Sequence, residues 1–353
     1  RIHTMGGNSW VTSDWLINYQ GGFVRRGLVG EILLGVTDYL GLDLLLITGI
    51  FIAVLWSTYL GFISAMWWRN EHRGLRDLFV LVSPAFFAFN VWDFQGGFRK
   101  ELLLLLFFTS FTLRFRKEHQ TKPGMLELIV WAALYAIGAL VHEIFIFTVP
   151  MFILLIVLHH REGTLTRTAM WTMLLSLFSF TSTATIFLLN AIGTTDQKTL
   201  VCSSLVDRGY GSALCGGAID FIGSEAALSD LGVDQATVYL VLGGLAALPF
   251  LRQKAVNLKL GLVFLGTILS LLTLFLVAVD WGRWIYLAAS FLSIIYLRFS
   301  KVNHEGFSSP RKLTNNTAVA CAALALWALG WSIPHYAADF VGPGVVNILG
   351  GFQ

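Results

Sequence analysis

Residues 126–158 read LELIVWAALYAIGALVHEIFIFTVPMFILLIVL. As one helix, this run of 33 residues would be about 50 Å long, against a bilayer hydrocarbon core of about 30 Å. Near its midpoint stands a polar pair, His142-Glu143. The run is therefore expected to form two helices that meet at that pair. Apolar runs of helical length recur along the chain, so the fold is expected to be all-α and polytopic rather than a β-barrel.

Composition points the same way. Of 353 residues, 56% are hydrophobic and 13% charged, where soluble domains carry about 25% charged residues. Mean hydropathy is +0.71. Twelve Trp and 28 Phe suit a lipid-facing surface with aromatic belts. The expected architecture is a single transmembrane domain over 1–353, an integral membrane helical bundle of ten spans with short interfacial helices and an outer-face cavity. Spans are placed at 44–68, 78–91 (interrupted by Pro84), 102–113, the two halves of 126–158, 170–192, 238–251, 260–279, 285–297 and 318–333. Residues 1–42 form an outer-face interfacial segment with a short helix over 28–42, and 193–235 form an outer-face loop. The chain begins with Arg1 rather than Met, which leaves room for a signal or transmembrane segment upstream.

Alternate loops (69–76, 114–122, 161–167, 252–259 and 298–312) hold 16 of the 24 Lys and Arg. The positive-inside rule assigns them to the cytoplasm. The opposite side holds eight Lys and Arg but 15 of the 21 Asp and Glu. An integral protein of a bacterial inner (plasma) membrane is expected, with its functional face periplasmic or extracellular. Cys202 and Cys215 share the 193–235 loop, and a disulfide between them is open to that loop in an oxidising compartment. Cys321 lies in an apolar run and reads as a packing residue.

One motif occurs twice on the outer side. The first copy is Tyr19-Gln20-Gly21-Gly22-Phe23-Val24-Arg25-Arg26, closing on Glu31; the second is Phe94-Gln95-Gly96-Gly97-Phe98-Arg99-Lys100-Glu101. Paired glycines allow a tight turn and the close approach of a ligand. Adjacent cations supply donors for a phosphate. The competing reading is a pair of interface turns whose basic side chains reach lipid headgroups. Arg25, Arg26, Arg99, Lys100 and Arg283 run against the topological charge bias, and Asp93, Glu101, Glu143 and Asp280 lie at similar depth. Charges so close to a membrane core pair with one another or line a cavity. They read either as a structural ion-pair lattice, Asp93 with Arg99 and Asp280 with Arg283, or as a cavity for an anionic lipid-linked substrate.

Two carboxylates are candidate general bases. Asp14, in Ser13-Asp14-Trp15, precedes the first basic turn and is placed to take a proton from a sugar hydroxyl. Alternatively, Ser13 or Asp14 caps a short helix starting at Trp15. Glu143 sits in an apolar stretch, where desolvation is expected to raise its pKa. His142 is a partner for it or points elsewhere, because helix neighbours do not share a face. A helix-break role for the pair is the alternative to catalysis. His159-His160 reads as a solvated cytoplasmic end, and the sequon Asn315-Asn316-Thr317 falls on the cytoplasmic side. No Walker loop, Rossmann fingerprint, Gly-x-Ser-x-Gly elbow or nucleic-acid signature is present.

This layout resembles the multispanning envelope glycosyltransferases of the GT-C superfamily. Asp14 and the 15–42 segment match the acidic first outer loop and short interfacial helices of those enzymes. The resemblance implies transfer of a sugar from a polyprenyl-phosphate donor to a glycan or lipid acceptor, in cell-envelope polysaccharide synthesis within the membrane. It implies no nucleotide cofactor and no nucleic-acid partner, and leaves a divalent metal open. In that chemistry Asp14, or its rival Glu143, deprotonates the acceptor, and Arg25, Arg26, Arg99 and Lys100 hold the phosphate. Arg283, Asp93, Asp280 and His142 complete the pocket. A nearly equal resemblance holds to O-antigen and capsule polymerases and ligases, which use outer-face arginines on a lipid pyrophosphate; here these would be Arg25, Arg26, Arg99, Arg208 and Arg283. Those enzymes often carry a large, Arg-bearing late outer loop, whereas the 193–235 loop here is moderate and acidic, which weakens that match. A transporter or flippase for a lipid-linked glycan or small solute fits the internal repeat, although both copies face outward. A purely structural membrane subunit is the remaining class.

Overall fold

The computed structural model describes residues 6–69, 75–115, 122–189, 195–222, 233–250, 258–277, 280–299 and 313–336. The fold is all-helical, with no strand among the described residues. In chain order the helices are α1 Val11–Leu16, α2 Gly27–Leu40, α3 Leu44–Trp68, α4 Leu75–Leu81, α5 Phe89–Trp92, α6 Phe94–Gly97, α7 Glu101–Arg114 and α8 Met125–Val141. They continue as α9 Ile144–Phe147, α10 Val149–Arg161, α11 Arg167–Leu189, α12 Thr195–Val206, α13 Val233–Ala247, α14 Leu258–Val277, α15 Trp281–Phe299 and α16 Leu313–Leu329. Two of them, α3 and α11, are long and apolar enough to cross a membrane by length and composition. The basic loops over 70–74, 116–121, 251–257 and 300–312 lie outside the described residues, as do 193–194 and 223–232 of the polar loop. The described part of that loop is not irregular. It carries α12 and a 3₁₀ turn, Ser212–Gly216, joined by a disulfide between Cys202 and Cys215 with a Cα separation of 5.5 Å.

The helices group into two compact units: Arg1–Leu60 with Phe98–Ala226, and Gly61–Gly97 with Ala227–Gln353. In the first unit α8 packs along α11, and α2 and α7 also pack on α8. Its centre is aromatic. Phe108, Phe111, Tyr135 and Phe152 are buried, and the rings of Tyr135 and Phe152 stack 4.6 Å apart. The Tyr135 hydroxyl donates to the Phe145 carbonyl at 2.6 Å, which ties the core to the chain just past α8. There the long apolar run divides as its length requires. His142 adopts an extended conformation (φ −160°, ψ 128°) and ends α8, and Pro150 opens α10, where a missing N–H costs no helical bond. The outer face of α11 shows Leu175, Phe178 and Leu189, each at least 66% exposed, a surface suited to lipid rather than water. Helix α2 buries Val29, Leu33 and Leu34 and exposes Ile32, Val36 and Tyr39, as an interfacial helix does. It lies tight on the end of α1: a Cβ on Gly30 would stand 2.0 Å from the Ile17 carbonyl oxygen.

In the second unit α15 packs against α4, α6, α13 and α14. Helix α4 stops at Leu81 and turns carry the chain past Pro84 to α5, because proline disfavours a helical residue before it. Buried Asp77 accepts a hydrogen bond from Tyr296 at 2.9 Å, and the Trp327 indole donates to the Phe79 carbonyl at 2.9 Å. Ile63, Trp67, Leu81, Phe87, Val91 and Ala328 line an apolar cavity of about 350 Å³.

Candidate functional site

The site in the first unit is built from α1, the first copy of the Gln-Gly-Gly motif, residues 98–101 that close the second copy, and the break between α8 and α9. Asn8 starts α1: its Oδ1 accepts from the backbone N–H of Trp10 at 2.9 Å and of Val11 at 2.7 Å, and its own N–H donates to Thr12 Oγ1 at 2.9 Å. Asp14 is therefore inside the helix and is not its cap. Neither Ser13 nor Asp14 starts the helix at Trp15, because Asn8 already satisfies the first amides. The Asp14 side chain is 0% exposed. Its Oδ2 accepts from the Lys100 backbone N–H at 3.3 Å. Its Oδ1 lies 3.8 Å from Arg26 Nη1 and takes no hydrogen bond among the described residues. The neighbouring Trp15 indole donates to the Phe98 carbonyl at 2.8 Å. Helix α1 is thereby joined to the second motif copy.

The two copies differ in backbone. In the first, Gly22 has φ +102° and its N–H closes a turn on the Tyr19 carbonyl at 2.9 Å, a conformation that favours glycine. The closing carboxylate, Glu31, accepts from Tyr19 N–H at 2.9 Å and Gln20 Nε2 at 2.8 Å, so it seals the turn. The second copy is one helical turn, Phe94–Gly97, capped by Asp93, whose Oδ1 accepts from Gly96 N–H at 2.7 Å.

Arg26 is the only non-glycine residue with positive φ among the described residues (φ 67°), a left-handed conformation that costs on the order of 1 kcal/mol. Strong bonds hold it. Its Nε donates to Glu143 Oε1 at 3.0 Å and Oε2 at 2.9 Å, and its Nη2 donates to Oε1. Its carbonyl accepts from Lys100 Nζ at 2.5 Å. His142 Nδ1 accepts from the Ile144 N–H at 3.2 Å, so a neutral ring carries its proton on Nε2. That nitrogen lies 3.4 Å from Glu101 Oε1, and Nδ1 lies 3.6 Å from Glu143 Oε2. The break in the helix is what allows these sequence neighbours to meet.

Exposure divides the cluster. Arg26 and Glu143 are 28% and 18% exposed at their side chains. Arg25 is half-buried and makes no hydrogen bond or ion pair among the described residues. Asp14, Lys100, His142, Glu101 and Arg99 are buried beneath them; the Arg99 guanidinium lies over the Trp10 ring, 5.1 Å from its centroid. Burial pushes the Asp14 carboxyl up, but Lys100, Arg26, His142 and Arg99 together hold it down at about 2. Burial lowers Lys100 to about 8, with Asp14 opposing the shift. Burial also lowers His142 to about 3, aided by Arg26, so the ring is neutral. Glu143 was expected to rise by desolvation. Burial does press in that direction, but the two-pronged Arg26 contact outweighs it and holds the carboxyl well below its ordinary range.

The remaining sequence candidates belong to the second unit. Asp93 accepts from His335 N–H at 2.6 Å and contacts His335 Nδ1 at 2.8 Å, so its side-chain partner is His335, where Arg99 was expected. Asp280 pairs with Arg283 Nη1 at 2.5 Å, the lattice contact expected for that pair. Glu101, Trp10 and Trp15 complete the first-unit cluster. The signal for Glu101 was its place as the closing carboxylate of the second motif; no local signal marked the tryptophans. Among the described residues, no group of three or more His, Cys, Asp or Glu is arranged to hold a metal ion.

No curated protein and no solved structure matches the chain. A family model described as "Uncharacterised membrane protein Rv1490" matches residues 2–219. That interval contains Asp14, Arg25, Arg26, Arg99, Lys100, Glu101, His142 and Glu143, and stops short of Asp280, Arg283 and His335. The match spans well over half of the chain, which therefore belongs to this membrane protein family.

Proposed function

We propose that this chain is a membrane glycosyltransferase of about ten spans that moves a sugar from a polyprenyl-phosphate-linked donor to a glycan or lipid acceptor. The reaction belongs to cell-envelope synthesis at the periplasmic or extracellular face of the inner membrane. The observation that carries this reading is the part-exposed Arg26–Glu143 pair, with half-buried Arg25 next to it in the chain, set against buried Asp14, Lys100 and Glu101. Two arginines adjacent in the chain supply the charge and the hydrogen-bond donors that suit a phosphate ester. Arg25 offers donors that no acceptor among the described residues occupies. The Cys202–Cys215 disulfide supports an oxidising compartment for this unit.

In the reaction, the acceptor hydroxyl oxygen bonds to the anomeric carbon of the sugar. The bond from that carbon to the phosphate oxygen breaks, and its electron pair stays on the phosphate, where Arg25 and Arg26 offset the charge. The hydroxyl proton passes to a carboxylate. Glu143 is the base in this scheme because its side chain reaches the surface, whereas Asp14 is enclosed. Asp14 acts as a positioning residue that fixes Lys100 and Arg26. The products are the glycoside and free polyprenyl phosphate.

Purified protein in detergent, offered labelled polyprenyl-phosphate sugars and a glycan acceptor, is expected to release labelled glycoside. Arg25→Ala should lower kcat/KM at least about tenfold, and Glu143→Gln should lower kcat about 100-fold or more at a preserved fold. Absence of both turnover and polyprenyl-phosphate binding in the wild type overturns the proposal. Substrate flux in liposomes under those conditions would indicate a transporter instead.

A further inference from the structure

We infer that the Arg26–Glu143 pair is a latch that a phosphate ester opens: the ligand takes over the Arg26 donors, and Glu143 is released beside it. This inference rests on the function proposed above and concerns the regulation of that same site. Arg26 commits Nε and Nη2 to Glu143, and its Nη1 lies 3.8 Å from Asp14. With the side chain 28% exposed, an anion arriving from the open side must share those donors or displace Glu143 from them. Arg25 is next in the chain, half-buried and without a hydrogen bond or ion pair among the described residues, so an anion meets it without breaking such a bond there. A phosphate carries more charge than a carboxylate and presents several oxygens to a guanidinium fork.

The geometry around the pair confines the change to side chains. The Arg26 main chain is held by the Lys100 Nζ bond to its carbonyl, and the adjacent Gly27 would clash with the Tyr19 ring if it carried a Cβ. Glu143 sits on the break between α8 and α9, fixed by the Tyr135 bond to the Phe145 carbonyl. While two guanidinium nitrogens engage it, the Glu143 carboxylate is a poor proton acceptor. Once the phosphate holds Arg26, the same carboxylate regains basicity within reach of the acceptor hydroxyl. A base that becomes competent only beside a bound donor would couple deprotonation to donor occupancy.

The test measures binding of a short-chain polyprenyl phosphate and of inorganic phosphate to the purified full chain, alongside turnover. With the competing carboxylate neutralised, Glu143→Gln is expected to bind the prenyl phosphate about five- to tenfold tighter than wild type, although it turns over far more slowly. Arg26→Ala is expected to bind it more weakly than wild type. If Glu143→Gln does not fold, Glu143→Asp, one methylene shorter and unable to span the two-pronged contact, should bind about threefold tighter. Tightening toward both probes assigns a phosphate source as small as the free ion, and tightening toward the prenyl ester alone assigns a lipid source. Wild-type turnover with unchanged or weaker binding in the Glu143 variants overturns the latch and leaves the glycosyltransferase reading standing. Phosphate binding that tightens in Glu143→Gln, with no turnover of any polyprenyl donor by wild type, overturns that reading and leaves the latch.

Discussion

Replacing Asp14 with Asn is expected to destabilise the first unit by about 3–5 kcal/mol, the usual cost of leaving a buried charge uncompensated. Asp14 and Lys100 are both 0% exposed, and Arg26 Nη1 stands 3.8 Å from Asp14 Oδ1. At an effective dielectric of about 20, two unit charges at that separation attract by about 4 kcal/mol. Asn keeps an oxygen for the Lys100 backbone N–H, so the loss is one of charge rather than of that hydrogen bond. Lys100 is then buried beside Arg26 and Arg99 with its main counter-charge gone. Lys100→Met leaves Asp14 with fewer cations and should cost a similar amount. The double variant Asp14→Asn/Lys100→Met removes both charges and should cost about 1–2 kcal/mol, far less than the sum of the single losses. Reversible unfolding in detergent, followed through tryptophan emission, reads all three values. Single costs below about 1 kcal/mol that simply add in the double variant would refute the coupled buried pair.

Three further outcomes follow from the same geometry. His142, brought from 6.5 to about 3, stays neutral in the fold while the unfolded chain takes up a proton. Stability should therefore fall as pH drops from 6.5 towards 3, by up to about 1.4 kcal/mol per unit. The Asp14 contribution, present above its unfolded value of 3.8, is lost as pH falls through about 2. His142→Gln should flatten the upper part of that slope, and a wild type whose stability is level between pH 6.5 and pH 4 contradicts the assignment. Gly30→Ala, with its Cβ 2.0 Å from the Ile17 carbonyl oxygen, should cost about 2 kcal/mol or more. Gly35→Ala on the same helix meets nothing within 4 Å and should be neutral or mildly stabilising by about 0.5–1 kcal/mol. Equal melting temperatures for the two alanine variants would contradict the close crossing of α1 and α2. Cys202→Ser/Cys215→Ser opens a loop with a sequence separation of 13 and should lower stability by about 3 kcal/mol. Reducing agent should bring the wild type to the same unfolding midpoint and leave the variant unmoved.

The all-helical class was legible in the sequence, and so was the division of residues 126–158, because both follow from local quantities: rise per residue, length of an apolar run, and the place of a polar pair within it. The edges of α3 and α7 were readable for the same reason, and the short helix expected over 28–42 corresponds to α2, Gly27–Leu40. The start of α1 was misplaced because Asn8 caps a helix whose first residues carry no strong apolar periodicity. The residues of the ionic cluster were also legible, since charges next to apolar runs are few.

Which charge meets which was decided only by the tertiary structure. Arg26 and Glu143 are 117 positions apart, and Asp14 and Lys100 are 86 apart. Glu143 therefore has a depressed rather than a raised pKa, through a partner that no local window contains. The repeated Gln-Gly-Gly motif makes an open turn in one copy and a capped helical turn in the other, because the flanking residues and their packing select among the conformations that glycine permits. Its two basic pairs accordingly differ: Arg25 and Arg26 reach the surface while Arg99 and Lys100 are buried. Helix and span are set by the chain's own covalent geometry and local solvation. Ion pairing, burial and proton affinity depend on distances between segments that only the folded chain brings together.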